Sequence, residues 1–152
     1  MYFVVFLLVL KISSTLASIN NRGDLDLLLQ LCFEKDSTGE CDGDIRTYDI
    51  SMVRNFSFLF ADRTEFNADI SQWQTSHVDN MEGMFDGAVA FNQDVSKWNV
   101  ENVKTMKNMF KNAKVFNKDI SSWKTDSLEN MESMFEGANG FRNNGNALTT
   151  DV

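Results

Sequence analysis

A period of 25 residues constrains this chain more than any other feature. Phe66, Phe91, Phe116 and Phe141 are each 25 positions apart, and Trp73, Trp98 and Trp123, the only 3 tryptophans in 152 residues, keep the same interval. Met84, Met109 and Met134 are each followed by a phenylalanine (Phe85, Phe110, Phe135), and Met81, Met106 and Met131 hold the same phase, as do Ala88, Ala113 and Ala138. Polar columns run beside them: Asn67, Asn92 and Asn117; Asp69, Asp94 and Asp119; Ser71, Ser96 and Ser121. Nine of 25 positions are identical in the copies 66–90, 91–115 and 116–140. One such copy has too few large apolar side chains to offset the entropy of ordering its own backbone. Copies must therefore bury the same columns against one another, and each is held by its neighbours.

A degenerate fourth copy precedes these at 41–65. Cys41 falls in the Phe column, Tyr48 in the Trp column, and Val53, Asn55, Phe56, Leu59 and Phe60 stand in register with Val78, Asn80, Met81, Met84 and Phe85. The organisation read from the sequence is then four repeats over 41–140, a leader at 18–40, and a tail at 141–152 that opens another degenerate copy at Phe141. The stretch Asp24 to Glu34 is apolar on one broad side and predicts a helix capping the first coil. Within a copy, Val78, Met81, Phe85 and Ala88 are spaced three, four and three, which predicts a short helix. Asp69 to Thr75 lacks that spacing and predicts a brief strand, and Gly87 and Gly137 stand where a helix would end. The fold expected from these patterns is an α/β repeat solenoid, with one short strand and one short helix per 25-residue coil.

Residues 1–17 read as an address. The apolar run 2–10 is too short for a membrane span and suits the core of a signal peptide. Thr15-Leu16-Ala17 offers a cleavage site after Ala17, and retention as an uncleaved anchor is the alternative. A secretory route makes Cys32 and Cys41, the only 2 cysteines, candidates for a small disulfide loop, with two buried free thiols as the alternative. No transmembrane span is expected in the mature chain.

With 22 acidic against 14 basic residues and a net charge of -8, the chain is poorly suited to nucleic acid or anionic membranes, which both need clustered cations. One histidine and two cysteines leave little material for zinc sites or histidine chemistry. No glycine-rich phosphate loop or nucleophile elbow occurs. The expectation is a protein without cofactor and without catalytic residues.

Several columns admit two readings. Asp44, Asp69, Asp94 and Asp119 either accept backbone N–H groups in Asx turns or form a calcium ladder. The Trp column is either core or an exposed aromatic strip for a sugar or protein partner, whereas the Met and Phe columns at helical spacing are core. Buried asparagine ladders that satisfy backbone groups would explain the Asn67 column without any function. Arg22-Gly23-Asp24 is an adhesion-type tripeptide, and Asn55-Phe56-Ser57 is an N-glycosylation sequon. Positions that vary between copies mark the candidate binding surface: Gln72, Lys97 and Ser122; Gln74, Asn99 and Lys124; His77, Asn102 and Ser127.

Phe91-Asn92-Gln93-Asp94-Val95-Ser96-Lys97-Trp98, followed by Val103, Met106, Met109-Phe110 and Ala113, resembles the 25-residue repeat of BspA-like leucine-rich-repeat surface proteins. That repeat is abundant in mycoplasma lipoproteins and bacterial surface proteins and occurs in microbial eukaryotes. The resemblance covers about residues 41–145. It implies a leucine-rich-repeat-like right-handed solenoid, an extracellular or cell-surface location, and adhesion or protein binding. The chain departs from longer members in its few copies and in lacking a lipobox before Cys32. The expected function is a secreted or cell-surface, non-catalytic module that binds an extracellular protein or glycan. The alternative is a structural or self-associating unit, or part of a longer array, that associates end to end.

Overall fold

The structure is a computed structural model that describes residues 19–41 and 45–142. The signal segment 1–17, Asp44 of the aspartate column and the tail from 143 onward lie outside the described residues.

One α-helix, α1 (Arg22–Phe33), opens the described chain. Asn21 is its N-cap: the backbone is extended and the side chain accepts the Asp24 N–H at 3.1 Å, satisfying one of the donors that a helix start leaves open. Leu25, Leu29 and Cys32, spaced four and three, are its buried face. Cys32 is joined to Cys41 with 5.2 Å between their Cα atoms, which ties the end of α1 to the start of the first coil. In the chain-entropy account, closing a loop between residues 9 apart contributes about 2–3 kcal/mol. The double substitution Cys32→Ser/Cys41→Ser should lower unfolding stability by that amount, read as the shift in a urea titration.

The strand-plus-helix coil expected from the sequence does not form, and neither does the leucine-rich-repeat-like solenoid that the resemblance implied. Beyond α1, the described residues contain a single 3-10 turn, Ile45–Thr47, and otherwise turns. The only β pairing among them is a column of isolated parallel bridges, Asn55 to Asn80 to Thr105 to Asn130. There is no sheet. The physical reason lies in two columns with left-handed backbone. Phe58, Gly83, Asn108 and Ser133 have φ of 55–58°, and Asp62, Gly87, Asn112 and Gly137 have φ of 57–72°. A right-handed helix cannot pass through such residues, so the spacing of Val78, Met81, Phe85 and Ala88 buries one side of a turning chain without making a helix.

Each left-handed residue rotates its peptide so that backbone donors leave the coil instead of closing on it. Phe56, Phe58, Phe60 and Asp62 donate to the carbonyls of Asn80, Glu82, Met84 and Asp86 at 2.7–2.9 Å. Met81, Gly83, Phe85 and Gly87 donate in the same way to Thr105, Lys107, Met109 and Lys111 at 2.8–3.0 Å. Met106, Asn108, Phe110 and Asn112 donate to Asn130, Glu132, Met134 and Glu136 at 2.7–2.9 Å. All twelve bonds run from residue i to residue i+24, so successive copies lie layer on layer.

The core follows the same registration. Within each layer two phenyl rings stack face to face: Phe60 on Phe66, Phe85 on Phe91, Phe110 on Phe116 and Phe135 on Phe141, with centroids 3.9–4.0 Å apart. Between layers the column Phe60, Phe85, Phe110, Phe135 is spaced 5.4–5.7 Å. The column Phe66, Phe91, Phe116, Phe141 is spaced 5.7–5.9 Å. Met84, Met109 and Met134 are buried beside them. Ion pairs bridge layers at the surface, among them Lys107 to Glu132 at 2.7 Å and Lys111 to Glu136 at 3.0 Å.

Candidate functional site

The nine variable surface positions follow from how each layer turns. Asp69, Asp94 and Asp119 each accept the N–H of the serine two residues on (Ser71, Ser96, Ser121) at 2.9–3.0 Å. This is an Asx turn, and it leaves the aspartates facing their own backbone. Hydrogen bonds from Ser71, the backbone N–H first, hold the Asp69 carboxyl below its usual range, and the Ser96 side chain and backbone do the same for Asp94. Among the described residues, no three His, Cys, Asp or Glu side chains gather as a metal set would require.

After the Asx turn the tryptophan folds inward. Trp73, Trp98 and Trp123 are 3, 3 and 7% exposed, so the column lies in the core and presents no aromatic strip. Each indole N–H donates to a carbonyl of the preceding layer: Trp73 to Ile45, Trp98 to Ile70 and Trp123 to Val95, at 2.8–3.1 Å. A buried indole needs such a partner, and these bonds pin the turn on which the flanking residues 72, 74 and 77 and their equivalents project. All nine candidates, Gln72, Gln74, His77, Lys97, Asn99, Asn102, Ser122, Lys124 and Ser127, are exposed.

Four of the nine converge. Gln72, Gln74, Lys97 and Asn99 line a groove of about 250 Å³, with Ser71, Ser76 and the edges of Trp73 and Thr75. Thr75 is the one buried polar residue of the described chain, and its hydroxyl donates to the Asn99 carbonyl at 2.9 Å. That bond locks the two layers flanking the groove. Gln74 donates through Nε2 to the Gln72 carbonyl at 3.3 Å, and Gln72 Nε2 meets Ser71 Oγ at 3.2 Å. The remaining candidates hold layers together or stand apart. Asn102 Nδ2 donates to the Ser76 carbonyl, Ser122 Oγ to the Ser96 carbonyl, and Lys124 pairs with Glu101. His77 Nδ1 lies 3.2 Å from Ser76 Oγ, its chain neighbour, and no carboxylate bonds the ring to complete an acid–base arrangement.

The other sequence motifs fall elsewhere. The Asn67 column bonds the next layer's backbone: Asn67, Asn92 and Asn117 accept through Oδ1 the N–H of Asn92, Asn117 and Arg142 at 2.8–3.0 Å. Arg22-Gly23-Asp24 forms the first turn of α1, where Asp24 accepts the N–H of Asn20 and Arg22 bonds Asp26 at 2.6 Å. The Asn55 side chain is exposed and accepts the Ser57 N–H at 2.8 Å. A second, larger groove of about 520 Å³ lies between α1 and the first layer, with Arg22, Asp26, Phe33, Phe58, Leu59 and Arg63 in its walls. Sequence reasoning missed it, because it exists only through the way α1 seats on that layer.

A family model described as Mycoplasma protein of unknown function, DUF285, matches residues 29–148. The chain belongs to the DUF285 family. No curated protein and no solved structure matches it. The DUF285 match spans the last turn of α1 and all four copies, so the groove lies within the part that the family shares. Among the described residues, no helix of this DUF285 chain is long and apolar enough to cross a membrane.

Proposed function

We propose that this chain is a BspA-like repeat protein of the cell exterior, and that it binds an extracellular protein or glycan without catalysis. The groove carries this reading: Gln72, Gln74, Lys97 and Asn99 converge on it from two successive layers. Amides, hydroxyls and one ammonium, set on turns fixed by buried indoles, supply donors and acceptors suited to sugar hydroxyls or peptide carbonyls. The Cys32–Cys41 pair favours an oxidising compartment, and the apolar run at 2–10 supplies the export signal. A glycan array and a pull-down from extracellular-matrix extract, each with the wild type and with Gln74→Ala/Lys97→Ala/Asn99→Ala, test it. A ligand captured by the wild type should bind the triple variant at least about tenfold more weakly, a loss of about 1.4 kcal/mol. Equal capture by both proteins would remove the groove from the reading.

A further inference from the structure

Four columns of interlayer hydrogen bonds run from an N–H to a carbonyl one layer further from α1, whereas Asp79, Lys104 and Glu129, with Ala90 and Gly140, donate back the other way. Within the four columns the two ends of the stack differ chemically. In these columns each of the first three layers donates four N–H groups away from α1, to four carbonyls that the next layer turns toward it. At the α1 end the row consists of the carbonyls of Asn55, Ser57, Leu59 and Ala61. Arg22 Nη1 donates to the first two, at 3.0 Å to Asn55 and 2.9 Å to Ser57. Phe33 meets Phe60 and Phe66 edge-on at 6.2 and 5.9 Å, where any later layer would lay a ring flat. Leu25 and Leu29 are buried in the same seat. α1 therefore ends the stack with a polar plug and an apolar lid.

Among the described residues, the opposite end has no such cover. The N–H groups of Ser133, Phe135 and Gly137 find no acceptor among the described residues, while their equivalents in every earlier layer donate at 2.7–2.9 Å. Phe135 and Phe141 are partly exposed, whereas Phe85, Phe91, Phe110 and Phe116 are 0% exposed. Unpaired backbone donors beside half-covered rings form a template for another layer. Two copies meeting symmetrically through this end would set donors against donors in the four main columns. A carbonyl row of matching pitch is what fits.

We propose that the donor end receives the carbonyl end of a second copy of this chain, head to tail, and that α1 with Arg22 is the displaceable cap preventing it. In the register of the existing layers, Phe60 and Phe66 of the incoming copy lie on Phe135 and Phe141. Its Arg54 follows Glu129 in a column that already runs Arg54, Asp79, Lys104, Glu129 through N–H to carbonyl bonds at 2.8–2.9 Å. Opposite charges meet there, as Arg54 and Asp79 do within one copy at 3.3 Å. Such a contact is heterologous and does not close on itself, so uncapped copies add without limit. A capped copy ends the chain it joins.

Sedimentation velocity of the full-length chain tests this. The wild type should remain monomeric as its concentration is raised tenfold. Leu25→Asp/Leu29→Asp, which unseats α1, should form a ladder of oligomers that lengthens with concentration. Adding Phe141→Glu to that variant should return it to monomer, and adding excess wild type should shorten the ladder. An unseated variant that keeps its tryptophan emission and stays monomeric would overturn the proposal, as would oligomers that survive Phe141→Glu. If unseating α1 also unfolds the first layer, Arg22→Ala/Phe33→Ala is the milder opening and is held to the same two outcomes.

Discussion

Replacing Phe85 with alanine should cost about 3–5 kcal/mol of unfolding free energy, the range for emptying a phenylalanine site in a well-packed core. The ring is fully buried and lies among Phe91 at 3.9 Å, Phe110 at 5.4 Å, Phe60 at 5.5 Å and Trp98 at 6.2 Å. No neighbouring side chain can relax into the void, because each is fixed by its own column. The loss also falls at a junction. Each layer is stabilised by the ones on either side, so the substitution weakens the contact of the first layer with the last two. Urea unfolding should show the shift in midpoint, and hydrogen exchange should show Met106 to Phe116 opening separately from Phe56 to Phe66. A cost below about 1 kcal/mol would mean that the ring columns do not carry the fold.

Valine at Gly87 should cost about 2–4 kcal/mol. Gly87 has φ of 72°, where a residue with a β-carbon loses roughly 1–2 kcal/mol and a β-branched one more. A β-carbon there would also lie 2.7 Å from Asp62 Oδ1 and 3.4 Å from its Cα, in the layer below. The Asp62 carboxylate is the far end of a side chain and can swing aside for either variant, so the difference between valine and asparagine comes from the left-handed backbone and the branch at the valine β-carbon. Asparagine is the control, since Asn112 occupies the equivalent position at φ of 57° and asparagine tolerates the left-handed region. Gly87→Asn should cost under about 1 kcal/mol. Equal melting temperatures for the valine and asparagine variants would show that the left-handed turn does not hold the layer.

These two positions also mark what the sequence disclosed and what it hid. The Phe and Met columns were legible because identical apolar residues at a fixed interval and helical spacing must be buried, whereas the Trp column stayed open between core and an exposed strip until the indole N–H bonds to Ile45, Ile70 and Val95 placed it inside. The capping helix was legible from Leu25, Leu29 and Cys32. The conformation within a copy was misread because spacings of three and four fit a helix and also fit a chain that turns every fourth residue. The distinguishing signal was present: Gly83, Asn108 and Ser133 in one column, and Asp62, Gly87, Asn112 and Gly137 four positions later. Read down the columns, these are turn formers recurring at two fixed places; read along one copy, Gly87 looks like a helix terminator. The nine variable positions were found by their variation, but which four share a groove depends on how Thr75 bonds the next layer. The groove beside α1 had no sequence signal, since Arg22 was visible only as part of a tripeptide.

The shared orientation of the four main columns of interlayer peptides has an electrical consequence. Four columns through four layers align sixteen peptide units, and at about 3.5 D each their moments sum to roughly 56 D along the stacking direction, reduced by the fewer peptides of Asp79, Ala90, Lys104, Glu129 and Gly140 that donate the opposite way. The negative pole lies at the α1 end, where the Arg22 guanidinium partly neutralises it, and the positive pole is the terminus bearing Ser133 and Gly137. A molecule polarised in this way does not approach a charged surface at random: beside an anionic one it is turned to arrive with its last layer first.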